Sequence, residues 1–299
     1  MRLFLLGVYA LLFMACSTVP PSLYHQLSPS SLSRGQTYDL SSASYRSIES
    51  LSKKLDHYQL IFIGDHHSED DLHLKISSLF KALHKQGRGI VLGNEWFTPD
   101  QNKLLDSFVE GSISEEKFLE KTSWTKRIGF EYKSFKPLYD FIIKSKGRLR
   151  GINLTKEQQK DISQRNLKSM NASDKLFYEK LDLNTTIHQT MLEPFFKDCH
   201  AYSHSIEDCE QRMYRVQVAW ESKMAYEVLK LFKKLDKDEV LIVFTGAMHL
   251  ENGLGVNLRF SRLSDQPFLT LIPRHITTKK VPLGLADAIV FYEPKLDQE

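Results

Sequence analysis

The chain has 299 residues, with 40 Lys and Arg against 37 Asp and Glu and a formal charge of +3. That near balance leaves no electrostatic footprint for nucleic acid or for a polybasic membrane contact. Hydrophobic residues make up 41% of the chain, enough for a sizeable core, and the length allows one large domain or one domain carrying an insertion.

The first residues form a unit of their own. Arg2 precedes an apolar run from Leu3 to Phe13 broken only by Gly7, and Met14-Ala15-Cys16 sets a small residue before a cysteine. The run is about half of the roughly 20 residues a membrane-spanning helix needs, so residues 1–15 read as a signal peptide rather than a span. The sequence around Cys16 resembles the lipobox of bacterial lipoproteins, with Phe13 where Leu, Val or Ile is usual. The resemblance implies lipidation of Cys16, including palmitate. Ser17 rather than Asp after that cysteine implies the outer membrane of a Gram-negative cell as the address. Residues 16–33, rich in Pro and Ser, read as a lipidated flexible tether, and residues 34–299 as the folded body. Loss of Arg2 leaves 39 basic against 37 acidic residues.

Six short apolar runs read as buried strands: Gln59 to Ile63, Gly89 to Leu92, Leu149 to Ile152, Val240 to Phe244, Phe268 to Ile272 and Ala288 to Tyr292. Between the first four lie segments of helical spacing. In Asp70 to Lys85, Leu72, Ile76, Leu79, Phe80 and Leu83 recur on one face. The alternation predicts an α/β fold, a mainly parallel sheet flanked by helices. About 85 residues separate the third run from the fourth and hold helical patterns without a strand, so a helical insertion is expected at about 154–238. The insertion is rich in Tyr, His and Met, which at helical spacing are ordinarily core residues.

With Cys16 assigned to lipid, Cys199 and Cys209 remain, an even pair in a compartment that permits disulfides. A local disulfide is the expected reading. Its rival is a zinc-type ligand set, because His200 and His204 lie in the same short loop.

In open parallel sheets, ligands bind beyond the carboxyl ends of the strands. The first four runs end in Gly64-Asp65-His66-His67, Gly93-Asn94-Glu95-Trp96, Asn153 and Gly246-Ala247-Met248-His249. The fifth leads into Pro273-Arg274-His275, which offers a cation at the same rim. Two Gly-x-x-His sites, each directly after a buried strand, with Asp65 and Glu95 at matching depth, point to a ligand or catalytic crevice. Imidazole can ligate a metal or move protons near neutral pH, and a carboxylate can orient it, ligate a metal or act as a base. His73, nearly two helical turns after His67, extends that face or caps it. No Gly-x-Ser-x-Gly or phosphate loop competes.

These residues resemble the ChaN family of haem-binding uptake lipoproteins, a branch of the Tiki/TraB/EreA-like group. The likeness runs through Phe62-Ile63-Gly64-Asp65-His66-His67, Gly93-Asn94-Glu95-Trp96-Phe97, Trp124 to Pro137 and Gly151-Ile152-Asn153. It continues in Gln217 to Ala225 and in Thr245-Gly246-Ala247-Met248-His249 with Gly253-Leu254-Gly255-Val256. Asp65 stands where Glu is usual, and Glu221 where Asp is usual. The resemblance implies haem as bound cargo in iron acquisition, a homodimer enclosing haem, and haem-transport components as partners. An axial ligand for the iron is required, and Tyr, His, Met and Cys can each serve. Tyr202 and Tyr214 are the expected ligands, with His188, His200, His204 and Met213 nearby in sequence. The wider group implies an alternative, a metal-assisted or metal-free hydrolase. There Glu95 would be base or ligand, His67 and His249 ligands or acid/base groups, Asn153 a further crevice residue, Arg274 an anion stabiliser, and a divalent metal a possible cofactor.

Overall fold

The computed structural model describes residues 23–27, 36–166, 168–196 and 206–295. In chain order the strands and α-helices are β1 (Tyr24–Gln26), β2 (Gln36–Asp39), β3 (Ser44–Ser47), α1 (Ile48–Leu55), β4 (Leu60–Asp65), α2 (Asp70–Lys85), β5 (Gly89–Asn94), α3 (Asn102–Val109), α4 (Glu115–Thr122), α5 (Trp124–Arg127) and α6 (Tyr132–Lys144). They continue with β6 (Arg148–Gly151), α7 (Lys156–Gln164), α8 (Ala172–Glu179), α9 (Thr186–Leu192), α10 (Ile206–Phe232), β7 (Glu239–Gly246), α11 (Val256–Ser261), β8 (Leu269–His275), β9 (Lys280–Pro282) and β10 (Ala288–Tyr292).

Eight strands form one sheet in the order β3-β2-β10-β8-β4-β7-β5-β6. The six from β10 to β6 are parallel, and they are the six apolar runs. β7 enters between β4 and β5, so the connections leave β4 in both directions and open a crevice at the carboxyl ends of β4, β7 and β5. The register sets Asp65 beside Gly246 and Asn94 beside Phe244, which brings the polar residues after the three strands to one level.

Alternation along the strands divides the core. Ile61, Ile63, Leu92, Ile242 and Phe244 face Leu72, Ile76, Phe80 and Phe135 of α2 and α6. Leu60, Phe62, Val91, Leu241 and Val243 face Met224, Ala225 and Val228 of α10. This division follows from the two-residue period of a strand. At the opposite end of the sheet Arg88 donates to the carbonyls of Asp56 at 2.6 Å, Tyr58 at 3.2 Å and Glu239 at 2.9 Å, tying together the entries to β4, β5 and β7.

Described residues 156–232 are helical apart from connecting segments, and two small clusters anchor them: Leu192, Phe196, Tyr214 and Val218, and Leu154, Ile162, Val216 and Ala219. α9 and the turn Glu193–Phe196 bury Leu192 and Phe196 while leaving Ile187 66% and Phe195 57% exposed.

Residues 16–33 were expected to be a flexible tether, and of these the described residues 23–27 hold a strand. Tyr24–Gln26 pairs antiparallel with β9, because Leu27 is drawn into the core and fixes the residues before it. β2 and β3 add an antiparallel edge that carries no apolar run. Among the described residues no helix is long and apolar enough to cross a membrane. Cys16, Cys199, His200, Tyr202 and His204 lie outside the described residues.

Candidate functional site

β4 delivers Asp65, which is buried. Its two oxygens hold two histidines: Oδ2 lies 2.8 Å from His67 Nδ1, and Oδ1 lies 2.7 Å from His73 Nε2. His73 Nδ1 donates to the carbonyl of Ser134 at 2.8 Å. Both ring nitrogens of His73 therefore face oxygen, so this residue is a support locked beneath the crevice rather than part of its open face. Burial works to raise the Asp65 carboxyl, but the hydrogen bonds and charges of His67 and His73 hold it below the usual carboxylate value. Burial likewise works to lower His67, and the bond to Asp65 overcomes it, leaving its pKa raised. The His67 ring packs between Trp96 and Phe130, each at a centroid distance of 4.6 Å.

β5 delivers Glu95. Gly246 N donates to its Oε1 at 2.9 Å, and the Thr245 hydroxyl donates to its Oε2. Asn153 does not enter the crevice. Its side chain donates 3.1 Å to the Glu95 carbonyl, so it steadies the backbone of β5 at its exit. A Cβ on Gly246 would stand 3.5 Å from His67 Nε2 and 3.6 Å from Glu95 Oε1, so these two groups converge over a glycine that leaves the space between them open.

β7 ends in a 3-10 turn, Ala247–His249, that carries His249 back to the same place. Its Nε2 lies 3.7 Å from Glu95 Oε2. Its Nδ1 is held by α10: Gln217 Nε2 is 2.8 Å away and Glu221 Oε1 3.4 Å. Glu221 is fully buried and shared, with His188 Nε2 at 3.3 Å from Oε1 and Arg259 at 3.1 Å from Oε2. Burial opposes its charge, yet the bonds from His188 and His249 and the Arg259 cation bring its pKa down to about 2. Burial also opposes a charge on His249, and the bond to Glu221 with the charge of Glu95 raises its pKa instead. The crevice thus holds two histidines on either side of Glu95, His67 oriented at Nδ1 by the buried Asp65 carboxylate and His249 at Nδ1 by Gln217 together with the buried Glu221 carboxylate. That arrangement can donate and accept protons at one spot.

Arg274 is paired with Glu251 at 2.8 Å and also donates to the Pro273 carbonyl, at the rim beside His66. Burial and the Arg274 charge lower the His66 pKa, and His66 Nδ1 meets the Tyr292 hydroxyl at 2.8 Å. Two ligand candidates of the insertion face inward. Tyr214 is buried and donates to the Thr185 carbonyl at 3.2 Å, and His188 is sealed against Glu221. Cys209 is buried beside them.

Glu221, His188, Gln217, Arg259 and Thr245 were not among the candidates of the crevice. A signal existed for two of them: Glu221 and Arg259 interrupt the apolar faces of their helices, Val218-Ala219 to Met224-Ala225 and Val256 to Phe260. Among the described residues no three His, Cys, Asp or Glu side chains are arranged to hold a metal ion.

A doubly wound α/β sheet with a histidine and carboxylate crevice at its switch point is the class this geometry defines. The chain belongs to the family described as haem-binding uptake, Tiki superfamily, ChaN, whose model matches residues 51–260. Among solved structures it is similar to one described as cofacial haem binding to ChaN of Campylobacter jejuni, at 15% identity and a TM-score of 0.67, covering 86% of this chain and 96% of that one. An erythromycin esterase, EreC, in its open conformation is similar at 12% identity and a TM-score of 0.48, over 86% of this chain and 83% of that one. No curated protein matches the sequence.

Proposed function

We propose that the chain is a lipid-anchored protein that binds haem as cargo in haem or iron acquisition at the outer membrane. The observation that carries this reading is membership of a haem-binding uptake family across residues 51–260, supported by a fold shared with a ChaN that binds haem cofacially. Exposed Ile187, Phe195 and Met213 supply apolar surface of the kind a porphyrin face requires. Tyr202, assisted by His200 or His204, is the proposed iron ligand, because Tyr214 and His188 are buried in other bonds. A homodimer closing over haem, haem-transport components as partners, and a Cys199–Cys209 disulfide belong to the same reading.

Hemin titration of the purified protein tests it. Saturable binding with a Soret band and a ferric-tyrosinate charge-transfer band is expected, with the latter lost in Tyr202→Phe. Absence of saturable binding removes the proposal.

A second reading is favoured by the two carboxylate-held histidines beside Glu95. It is a metal-free hydrolase in which Glu95 activates water and His249 or His67 protonates the leaving group. An esterase and peptidase screen of the wild type against Glu95→Gln tests it. Equal inactivity of the two proteins removes this reading.

A further inference from the structure

The ribbon of β1 and β9 has an apolar tip. Tyr24 stands opposite Pro282, His25 opposite Val281 and Gln26 opposite Lys280. A 3.0 Å bond from Leu283 N to Leu23 O extends the ladder by one pair. Side chains alternate across such a ribbon, so Leu23, His25 and Leu27 share a face with Leu283, Val281 and Lys279. Leu27 and Val281 are buried in the core beneath. The Leu23 and Leu283 pair is not, at 72% and 49% exposed.

The other face turns Tyr24, Pro282 and Lys280 outward, with Lys280 Nζ 5.0 Å from the Tyr24 ring centroid. No Asp or Glu occurs in residues 1–38 or 276–286, while Lys279 and Lys280 are both exposed. A leucine pair at the edge of the body, a tyrosine and lysines, with no carboxylate among them, is the residue set that enters a headgroup layer.

We propose that this ribbon tip rests on the phospholipid bilayer and sets the orientation of the body on it. The inference rests on the lipid-anchor reading of Cys16. Only the six residues 17–22 separate Cys16 from Leu23, a fully extended reach of about 24 Å, so an acylated Cys16 keeps the tip within that distance of the membrane surface. The leucines enter the acyl boundary, Tyr24 lies at headgroup level, and the lysines meet lipid phosphates.

The test uses the full lipidated protein, purified from membranes and reconstituted in vesicles of phosphatidylethanolamine and phosphatidylglycerol with or without brominated acyl chains. A tryptophan probe is introduced by Leu283→Trp, and for comparison by Leu74→Trp at an exposed position on α2. With the emission of Trp96, Trp124 and Trp220 subtracted by means of the parent protein in the same vesicles, the Leu283→Trp contribution is expected to be blue-shifted and to lose about half its intensity in brominated vesicles, with no added quenching for Leu74→Trp. Lys279→Glu with Lys280→Glu should reduce that quenching. A Leu283→Trp probe that stays water-exposed in the vesicles overturns the proposal and leaves a protein as the occupant of the tip. Mass spectrometry of Cys16 separates the two readings: an acylated chain with an unquenched probe loses the ribbon contact alone, whereas an unacylated Cys16 removes the anchor and this inference with it.

Discussion

Glu221 meets two histidines through one oxygen and an arginine through the other, with no water-facing surface. Removing its charge leaves Arg259 buried and partly unpaired, a change that ordinarily costs about 3 to 5 kcal/mol. Glu221→Gln is therefore expected to lose about 3 kcal/mol in denaturant unfolding and to lower the pKa of His249 in an NMR titration; an unchanged His249 would show that Glu95 alone sets its charge. Two glycines make a sharper pair. A Cβ on Gly255 would lie 1.9 Å from the His249 carbonyl oxygen, whereas one on Gly246 meets nothing nearer than 3.4 Å. Gly255→Ala should destabilise by at least about 3 kcal/mol, and Gly246→Ala should fold with near wild-type Tm while narrowing the crevice. Asp65, His67, Glu95 and His249 were legible in the sequence because each stands just past an apolar run. Gln217, and the place of His188 against Glu221 rather than on haem iron, were not, because a polar residue on a helix reveals its partner only when a distant element packs on it.

The elements divide along similar lines. The five inner parallel strands are largely buried on both faces and so are written as apolar runs; β6, at the edge, alternates as Arg-Leu-Arg-Gly with only Leu149 and Gly151 buried, and β2 and β3 are written Gln-Thr-Tyr-Asp and Ser-Tyr-Arg-Ser and show no pattern. β2 takes its place by pairing with β10, a contact about 250 residues away in sequence that no local spacing encodes, and β3 follows by pairing with β2. Arg88 is a further case, since its role depends on three chain segments meeting. Arg88→Met should take a donor from the Asp56, Tyr58 and Glu239 carbonyls, of which Glu239 keeps Gln59 Nε2 at 3.4 Å, and cost about 2 to 3 kcal/mol, with hemin affinity unchanged. A loss of hemin binding at full occupancy of the fold would contradict that division between the two ends of the sheet.

For the molecule as a whole, the charged groups of the crevice set the pH range of the fold. Glu221 is lowered from 4.5 to about 2, so its contribution is full above 4.5 and is lost as pH falls toward about 2; Asp65 acts in the same direction. His67 and His249 are raised from 6.5, so their contribution is full below that value and is lost as pH rises through their higher folded values. Thermal unfolding is expected to peak between these limits and to decline on the alkaline side, and His67→Gln with His249→Gln should flatten that decline. A wild-type Tm that climbs steadily from pH 6 to pH 8 would count against the assignment.

The position of β7 has a kinetic consequence. β4 and β5 are separated in the sheet by a strand that ends at Gly246, so the two cannot be joined by their own pairing. Until that strand is available, the earlier strands have no closed sheet to enter, and the loop to be closed between β4 and β7 spans most of the chain. Folding is therefore governed by a late, long-range step. A nascent chain of this order stays open, with its strand edges unpaired, through most of its synthesis.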